Sequence, residues 1–447
     1  MKRFAVLLAL LLLSSIARAQ DAPSVPMKRD VSPANTEEAR MKALEEQVRT
    51  LAGEVALLRT ELKELRETKS PEQSSAPQIL LASAHPEPGV LSSSSAPAAA
   101  QATQTQTFGG ASGNAKLLNP DISLIGDFIG IAGRSNVAPG RSLELHESEI
   151  GLQAIIDPYS RADAFLSFGE TGVNVEEAYI TFTSLPAGLL LKVGKKRADF
   201  GKVNTIHNHA LPFIDRPLVT NNLVGGEDGI DDAGFFLSRF LPAPKNWFLE
   251  GSAELLRGDS GDLFQASRRQ DASVVGHLRA YRDLSESTNL DLGVSYARGH
   301  NNFGSNFLTN LYGGDATLRW RPLRRAIYNS FMFRTELFWS ARDQFSPSVP
   351  ALFETQHAFG LYAYAEYRVN RRWTVGGRFD RSGHATDARL TDSGFSGILT
   401  YWPSEFSQIR GQYRFGHLAT APSDFSNANE FLFQFLFVMG AHGAHPF

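Results

Sequence analysis

The chain contains no cysteine, so disulfides, thiolate chemistry and cysteine-based metal centres are all excluded. It also lacks the run of roughly 20 apolar residues that a membrane-spanning helix needs; the apolar stretch from Phe4 to Leu13 is too short to cross a bilayer. No long basic arm is present and the formal charge is −3, so the electrostatic footprint of a nucleic-acid partner is missing. Ser, His and Asp are plentiful, yet none sits in a distinctive nucleophile motif such as GxSxG, and no catalytic residue is assigned.

The chain is rich in Phe (31 residues) and Gly (38), with 11 Tyr, while the mean hydropathy is only −0.20. A membrane barrel can combine these values, because one side of each strand faces water. Met1-Lys2-Arg3, the short apolar core and Ala17-Arg18-Ala19 read as a secretory signal peptide over residues 1–19, cut after Ala19. Removing Lys2, Arg3 and Arg18 takes the charge from −3 to −6. Export without disulfides suits an outer-membrane or periplasmic protein.

Residues 36–69 read as a coiled coil. Met41, Val48, Val55 and Leu62 repeat every seven residues, and Leu44, Leu51, Leu58 and Leu65 follow three positions later. Arg40 with Glu45, Glu54 with Arg59, and Glu61 with Arg66 give complementary flanking charges. Val at a and Leu at d lean toward a parallel dimer, with three strands also open. Residues 70–116 turn to Pro, Ser, Ala, Gln and Thr and read as a flexible tether that cannot bury a core.

From 117 to 447 the pattern changes to short segments with a two-residue period. Ile409, Gly411, Tyr413 and Phe415 face one way, against Gln408, Arg410, Gln412 and Arg414. Strand centres are expected near 125, 150, 164, 179, 193, 236, 251, 277, 293, 318, 334, 363, 377, 397, 411 and 434. Short connections at 157–160, 184–188, 242–246, 285–288, 321–325, 370–371 and 403–405 alternate with longer ones. The longer ones are 131–141, 201–229, 257–271, 299–312, 340–356, 383–391 and 418–428. Sixteen strands, short turns inside and long loops outside are the expectation for an all-β, antiparallel outer-membrane barrel. The final strand, from Glu430 to Met439, is too apolar for a soluble edge but suits a lipid-bathed seam.

Val175-Glu-Glu-Ala-Tyr-Ile180, Leu191-Lys-Val-Gly-Lys195, Asp199-Phe-Gly201 and a terminal Phe447 carry a resemblance. The chain resembles outer-membrane porins, particularly the phosphate-selective porin-like group with an N-terminal coiled coil. Met439, Ala441, Gly443 and His445 depart from the aromatic alternation of that group's C-terminus. The resemblance implies a homotrimeric 16-stranded channel whose third external loop, here 201–229, folds inward.

A diffusion channel needs a constriction and a field rather than a catalytic group. The candidate lumen face carries Lys192, Lys196, Arg279, Arg319, Arg321, Arg334, Arg368, Arg378, Arg410 and Arg414, which would favour carboxylates or phosphate. The same arginines can also pair with Glu177, Glu254, Glu336, Glu366 and Asp380 and so brace an ordinary porin wall. Lys202, His207, His209, Asp215 and Arg216 are the candidates on the constricting loop. A transition-metal site on His207 and His209 with Asp215 lacks a further ligand, so these are read as packing residues and no metal or cofactor is assigned. The expected function is passive passage of small hydrophilic solutes or anions, by a homo-oligomer in outer-membrane lipid. The alternatives are an envelope tether contacting peptidoglycan and an outer-membrane enzyme.

Overall fold

The computed structural model describes residues 120–135, 142–170, 172–349 and 352–440. The signal peptide, coiled coil, tether and Phe447 lie outside the described residues. The first strands are β1 (Asp121–Arg134), β2 (Leu143–Asp157), β3 (Ser160–Gly169), β4 (Gly172–Phe182), β5 (Leu189–Arg197), β6 (Asp231–Leu241) and β7 (Phe248–Leu256). A short hairpin follows, β8 (Asp259–Ser260) with β9 (Phe264–Gln265). Then come β10 (Ser273–Ser285), β11 (Thr288–Asn301), β12 (Gly304–Trp320), β13 (Ser330–Phe345), β14 (Phe353–Arg368), β15 (Trp373–Gly383), β16 (Thr391–Ser404), β17 (Ser407–Ala421) and β18 (Asp424–Gly440).

All but the β8–β9 hairpin form one closed barrel of 16 antiparallel strands. The seam joins β1 to β18, from Ser123 opposite Gly440 to Arg134 opposite Asn429. Closure satisfies every edge, as a sheet in hydrocarbon must. Each expected strand centre falls within one of these strands.

Side-chain polarity is inverted relative to a water-soluble protein. On β18, Phe431, Phe433, Phe435 and Phe437 point outward, at 36% to 50% exposure, while Glu430 and Gln434 point inward at 3% and 1%. An outward apolar band of this kind has lipid as its only stabilising surroundings, which places the barrel in an outer membrane. Cross-strand aromatic pairs reinforce the outer face. Trp373 lies opposite Tyr401 with ring centroids 4.6 Å apart, and Trp339 opposite Phe359 at 5.0 Å.

Two expected loops are largely strand. β11 meets β12 across Asn302 and Phe303, and β17 meets β18 across Pro422 and Ser423. Polar side chains at 299–312 and 418–428 suggest loops, but backbone pairing continues above the lipid, where polarity on both faces costs nothing. At the opposite end, the connection 321–329 between β12 and β13 is longer than a tight turn.

The inward faces are not uniformly wet. A dry cluster inside the barrel joins Phe200, Val203, Leu211, Phe213, Val219 and Leu223 of the 198–230 connection to Phe236, Phe338, Tyr362, Tyr364 and Ile398 of the wall. The long connection brings its own apolar residues and makes a core with inward-facing aromatics.

Candidate functional site: the lumen and its folded loop

The loop 198–230, which joins β5 to β6, folds into the lumen and carries two 3-10 turns, Val203–Thr205 and Asn208–Ala210, and one α-helix, α1 (Leu218–Leu223). Its neck is closed by Asn204. The Asn204 amide donates to the Ala198 and Ile230 carbonyls at 2.8 and 3.1 Å, and its oxygen accepts the Ile230 N–H at 2.8 Å. Gly201 turns the chain inward with φ +64°, and a Cβ there would lie 2.7 Å from Glu336 Oε2. Only glycine meets both demands without strain. The Glu336 carboxylate then accepts the Lys202 and Val203 N–H groups at 2.9 and 2.8 Å and the Tyr362 hydroxyl at 3.1 Å.

Farther along, an arginine cluster holds the loop. Asp215 pairs with Arg378 at 3.0 Å and Arg414 at 2.8 Å. Arg378 also donates to Asp380 at 2.7 Å, and its guanidinium lies over the Phe213 ring. Burial favours the neutral Asp215 carboxyl, but Arg378 and Arg414 outweigh it and hold its pKa at about 2. Arg410 donates to the Leu211 carbonyl at 2.8 Å and to Gln434 at 2.9 Å. Arg216 is buried and braces the loop from within, donating to Asn208 at 2.7 Å and to the carbonyls of Val203 and Ile206 at 3.3 and 2.9 Å. Burial, with the Arg197 charge adding to it, lowers the Arg216 pKa to about 9.

Between this loop and the short-turn end lies a cavity of about 1300 Å³. Of the lumen candidates, Lys192, Lys196, Arg279, Arg319, Arg321, Arg334, Arg368 and Arg410 line it, joined by Lys202 and His209 from the loop. The acidic lining residues are Glu177, Asp199, Glu250, Glu366 and Glu405. Some cations are neutralised: Lys196 meets Asp199 at 2.8 Å, and Lys202 and Arg279 meet Asp291 at 3.0 and 2.8 Å. Others are not. The Lys192 ammonium lies over the Tyr179 ring, and Nε and Nη1 of Arg334 have no hydrogen-bond partner among the described residues. Arg378 and Arg414 are outside this lining, at the loop's arginine anchor.

A second anchor joins the loop's first turn to the opposite wall. His207 Nδ1 lies 2.6 Å from Glu149 Oε2 and 3.1 Å from Glu176 Oε2, and its Nε2 lies 3.4 Å from Glu177 Oε2. His209 Nδ1 is 3.9 Å from both Glu147 and Glu149. Burial pushes the His207 imidazole down in pKa, yet hydrogen bonds to Glu149 and Glu177, with the surrounding carboxylate charge, raise it to about 10. Asp215, the expected partner of these histidines, is elsewhere.

Two β-bulges aim the acids. In the β1–β2 register Asp127 pairs with Glu147 and Phe128 with Leu145, leaving His146 as the extra residue. In β3–β4 Phe165 pairs with Glu177 and Leu166 with Val175, leaving Glu176 extra. A bulge lets neighbouring residues share a face, so Glu176 and Glu177 are both buried inside. Period-two reading puts such neighbours on opposite faces and so misses this site. The runs His146-Glu-Ser-Glu149 and Glu176-Glu177 are the only sequence signal for it.

No family model matches the chain. An uncharacterized protein of Aquifex aeolicus (strain VF5) is 30% identical over 341 residues, covering 69% of this chain and 70% of that one. The chain belongs to the family of that protein. Among solved structures, the anion-selective porin from Comamonas acidovorans has a TM-score of 0.50 at 10% identity, covering 72% of this chain and 100% of that one. The outer membrane channel DcaP of Acinetobacter baumannii has a TM-score of 0.48 at 11% identity, covering 72% and 96%.

The chain therefore shares the porin-type barrel fold. Its lumen offers charged walls, a folded loop and a large cavity. That arrangement is consistent with passive solute diffusion.

Proposed function

We propose that the barrel is a passive diffusion channel for small hydrophilic solutes across the outer membrane, with a mild preference for anions such as phosphate or carboxylates. The observation that carries this reading is the cavity lining, where nine basic side chains face five acidic ones. In a low-dielectric wall such an excess lowers the barrier for an anion without creating a tight site. Many of the guanidinium groups are already paired, so the preference is a field effect, weak enough to permit release. The Comamonas porin of the same fold is anion-selective, and the proposal extends that preference to this chain.

The same reading takes residues 1–19 as signal peptide, 36–69 as an oligomerising coiled coil, 70–116 as tether and 117–447 as barrel. It includes membership of the phosphate-selective porin-like group and a homotrimer, with the tether able to reach peptidoglycan. A native mass of the detergent-extracted protein distinguishes a trimer from a dimer.

Single-channel recording under a KCl gradient tests the function. The expected result is steady open current whose reversal potential has the sign of chloride preference. A folded barrel that passes no current would overturn the channel, and a reversal of potassium sign would overturn the anion preference alone.

A further inference from the structure

The acid–imidazole anchor is built like a metal site. We infer that Glu147, Glu149, Glu176, His207 and His209 bind one divalent first-row transition-metal cation, which fastens the loop to the β2–β4 wall. This inference does not depend on current or on anion preference.

Glu147 points to a ligand most directly. Its residue is 5% exposed, and no N–H or hydroxyl donor among the described residues reaches either carboxylate oxygen; its one hydrogen-bonding neighbour is the carboxyl of Glu176. Its neighbours in the cluster are the carboxyl groups of Glu149 and Glu176 and, at 3.9 Å, the Nδ1 of His209. A buried carboxylate left in that company is costly, and a cation among the oxygens removes the cost.

Donor spacing agrees. One ligand atom each from Glu149, His207 and His209 lies within 4.8 Å of the others, and the same holds for Glu147, Glu149 and Glu176, so the two sets share Glu149. Around a tetrahedral ion held by four of these five groups, with bonds of about 2.1 Å, donors stand about 3.4 Å apart. The contacts at 3.1 and 3.9 Å straddle that value, and only the 2.6 Å approach of His207 to Glu149 has to open, by roughly 1 Å.

The surroundings agree as well. Glu177 faces His207 Nε2 while Nδ1 faces the cluster, which is the carboxylate–histidine–metal arrangement that fixes a ligand's tautomer. Four acids (Glu147, Glu149, Glu176 and Glu177) surround the histidines, and the His207 imidazole together with Arg197, 3.9 Å from Glu176, balances part of their charge. Imidazole and carboxylate donors without sulfur suit zinc, manganese, iron or nickel in the divalent state.

Zinc is the first probe. Untagged full-length protein, stripped with chelator and kept folded in detergent, is titrated calorimetrically with zinc chloride. One zinc per chain is expected. His209→Ala and Glu147→Gln each weaken binding by at least about 10-fold, and Glu177→Gln by about 10–100-fold. His442→Ala combined with His445→Ala leaves it unchanged. Cobalt added to the wild-type protein gives a readout independent of any variant, visible d–d absorption that zinc abolishes. Absence of uptake of zinc, manganese or nickel by the folded wild-type protein at about 1 mM would overturn the site. Unaltered binding in both folded ligand variants would do the same.

Discussion

The inward loop is held at two places by opposite chemistry. At its first turn the loop supplies bases, His207 and His209, to acids on β2 and β4. At its middle it supplies an acid, Asp215, and carbonyl oxygens to Arg378, Arg410 and Arg414 on β15 and β17. The contrast divides the lumen's arginines by task. Those facing Asp215 are committed to holding the loop, whereas those on β10, β12 and β13 face the cavity. An arginine pointing into a barrel is therefore not evidence of a solute contact until its partner is known.

Breaking the arginine anchor should have the largest effect. Asp215→Ala leaves buried Arg378 facing Asp380 alone and Arg414 facing Glu430 alone. Removing one member of a buried ion pair costs about 3–5 kcal/mol, and these surviving partners put the expected loss near the lower end. Limited proteolysis should then cut within 198–230 while the barrel itself still migrates as folded protein on unheated gels. Equal protease resistance of variant and wild type would show that the dry core alone holds the loop.

The same anchor should be acid-labile in one direction only. Asp215 has its pKa depressed to about 2 in the folded protein, against roughly 3.9 in an unfolded chain. A depressed carboxyl contributes its stability in full above about pH 4 and loses it as pH falls through about 2, here on the order of 2 kcal/mol. Pepsin should therefore cut the loop increasingly between pH 4 and 2, and Asp215→Asn should remove that dependence. A wild-type transition centred near neutral pH would assign it to another group.

A smaller effect is expected at the neck, where the two ends of the loop meet. Asn204→Ala removes three hydrogen bonds and leaves the Ile230 N–H unpaired, while the Ala198 and Ile230 carbonyls keep the N–H groups of Phe200 and Ala198, a loss of about 1–3 kcal/mol. Hydrogen exchange of the Ile230 amide should quicken more than that of amides in β18. Uniform quickening would mean that the loop and wall open together.

These tests bear on features that the sequence made visible to different degrees. The barrel was legible because lipid outside and polar groups inside impose a two-residue period, as in Gln408 to Phe415. The long connection 201–229 was legible by length and by its resemblance. The dry plug was not, since Phe200, Phe213 and Val219 look like ordinary loop apolars until Tyr362 and Tyr364 are seen facing them. The imidazole anchor was half visible. His207 and His209 stood out, but their acids lie 30 to 62 residues upstream and are aimed by bulges that break the period on which the rest of the reading depends.

The weakest effect, and the sharpest test of the division among arginines, concerns selectivity. Neutralising Lys192, Arg319 and Arg368 to Gln removes three cavity charges without touching either anchor. The chloride-to-potassium permeability ratio should fall about twofold, equivalent to ~0.4 kcal/mol. Arg378→Gln removes a charge of the same sign from outside the cavity lining, so it should loosen the loop before it alters that ratio. Screening separates the two cases further. At about 0.1 M salt the Debye length is roughly 10 Å, and at about 1 M it is roughly 3 Å. The triple variant's effect should shrink over that range, while loop release by Arg378→Gln, resting on a buried pair, should persist. If instead Arg378→Gln shifts the reversal potential with the loop still protected, its guanidinium is sensed by the permeating ion, and the two groups of arginines act as one.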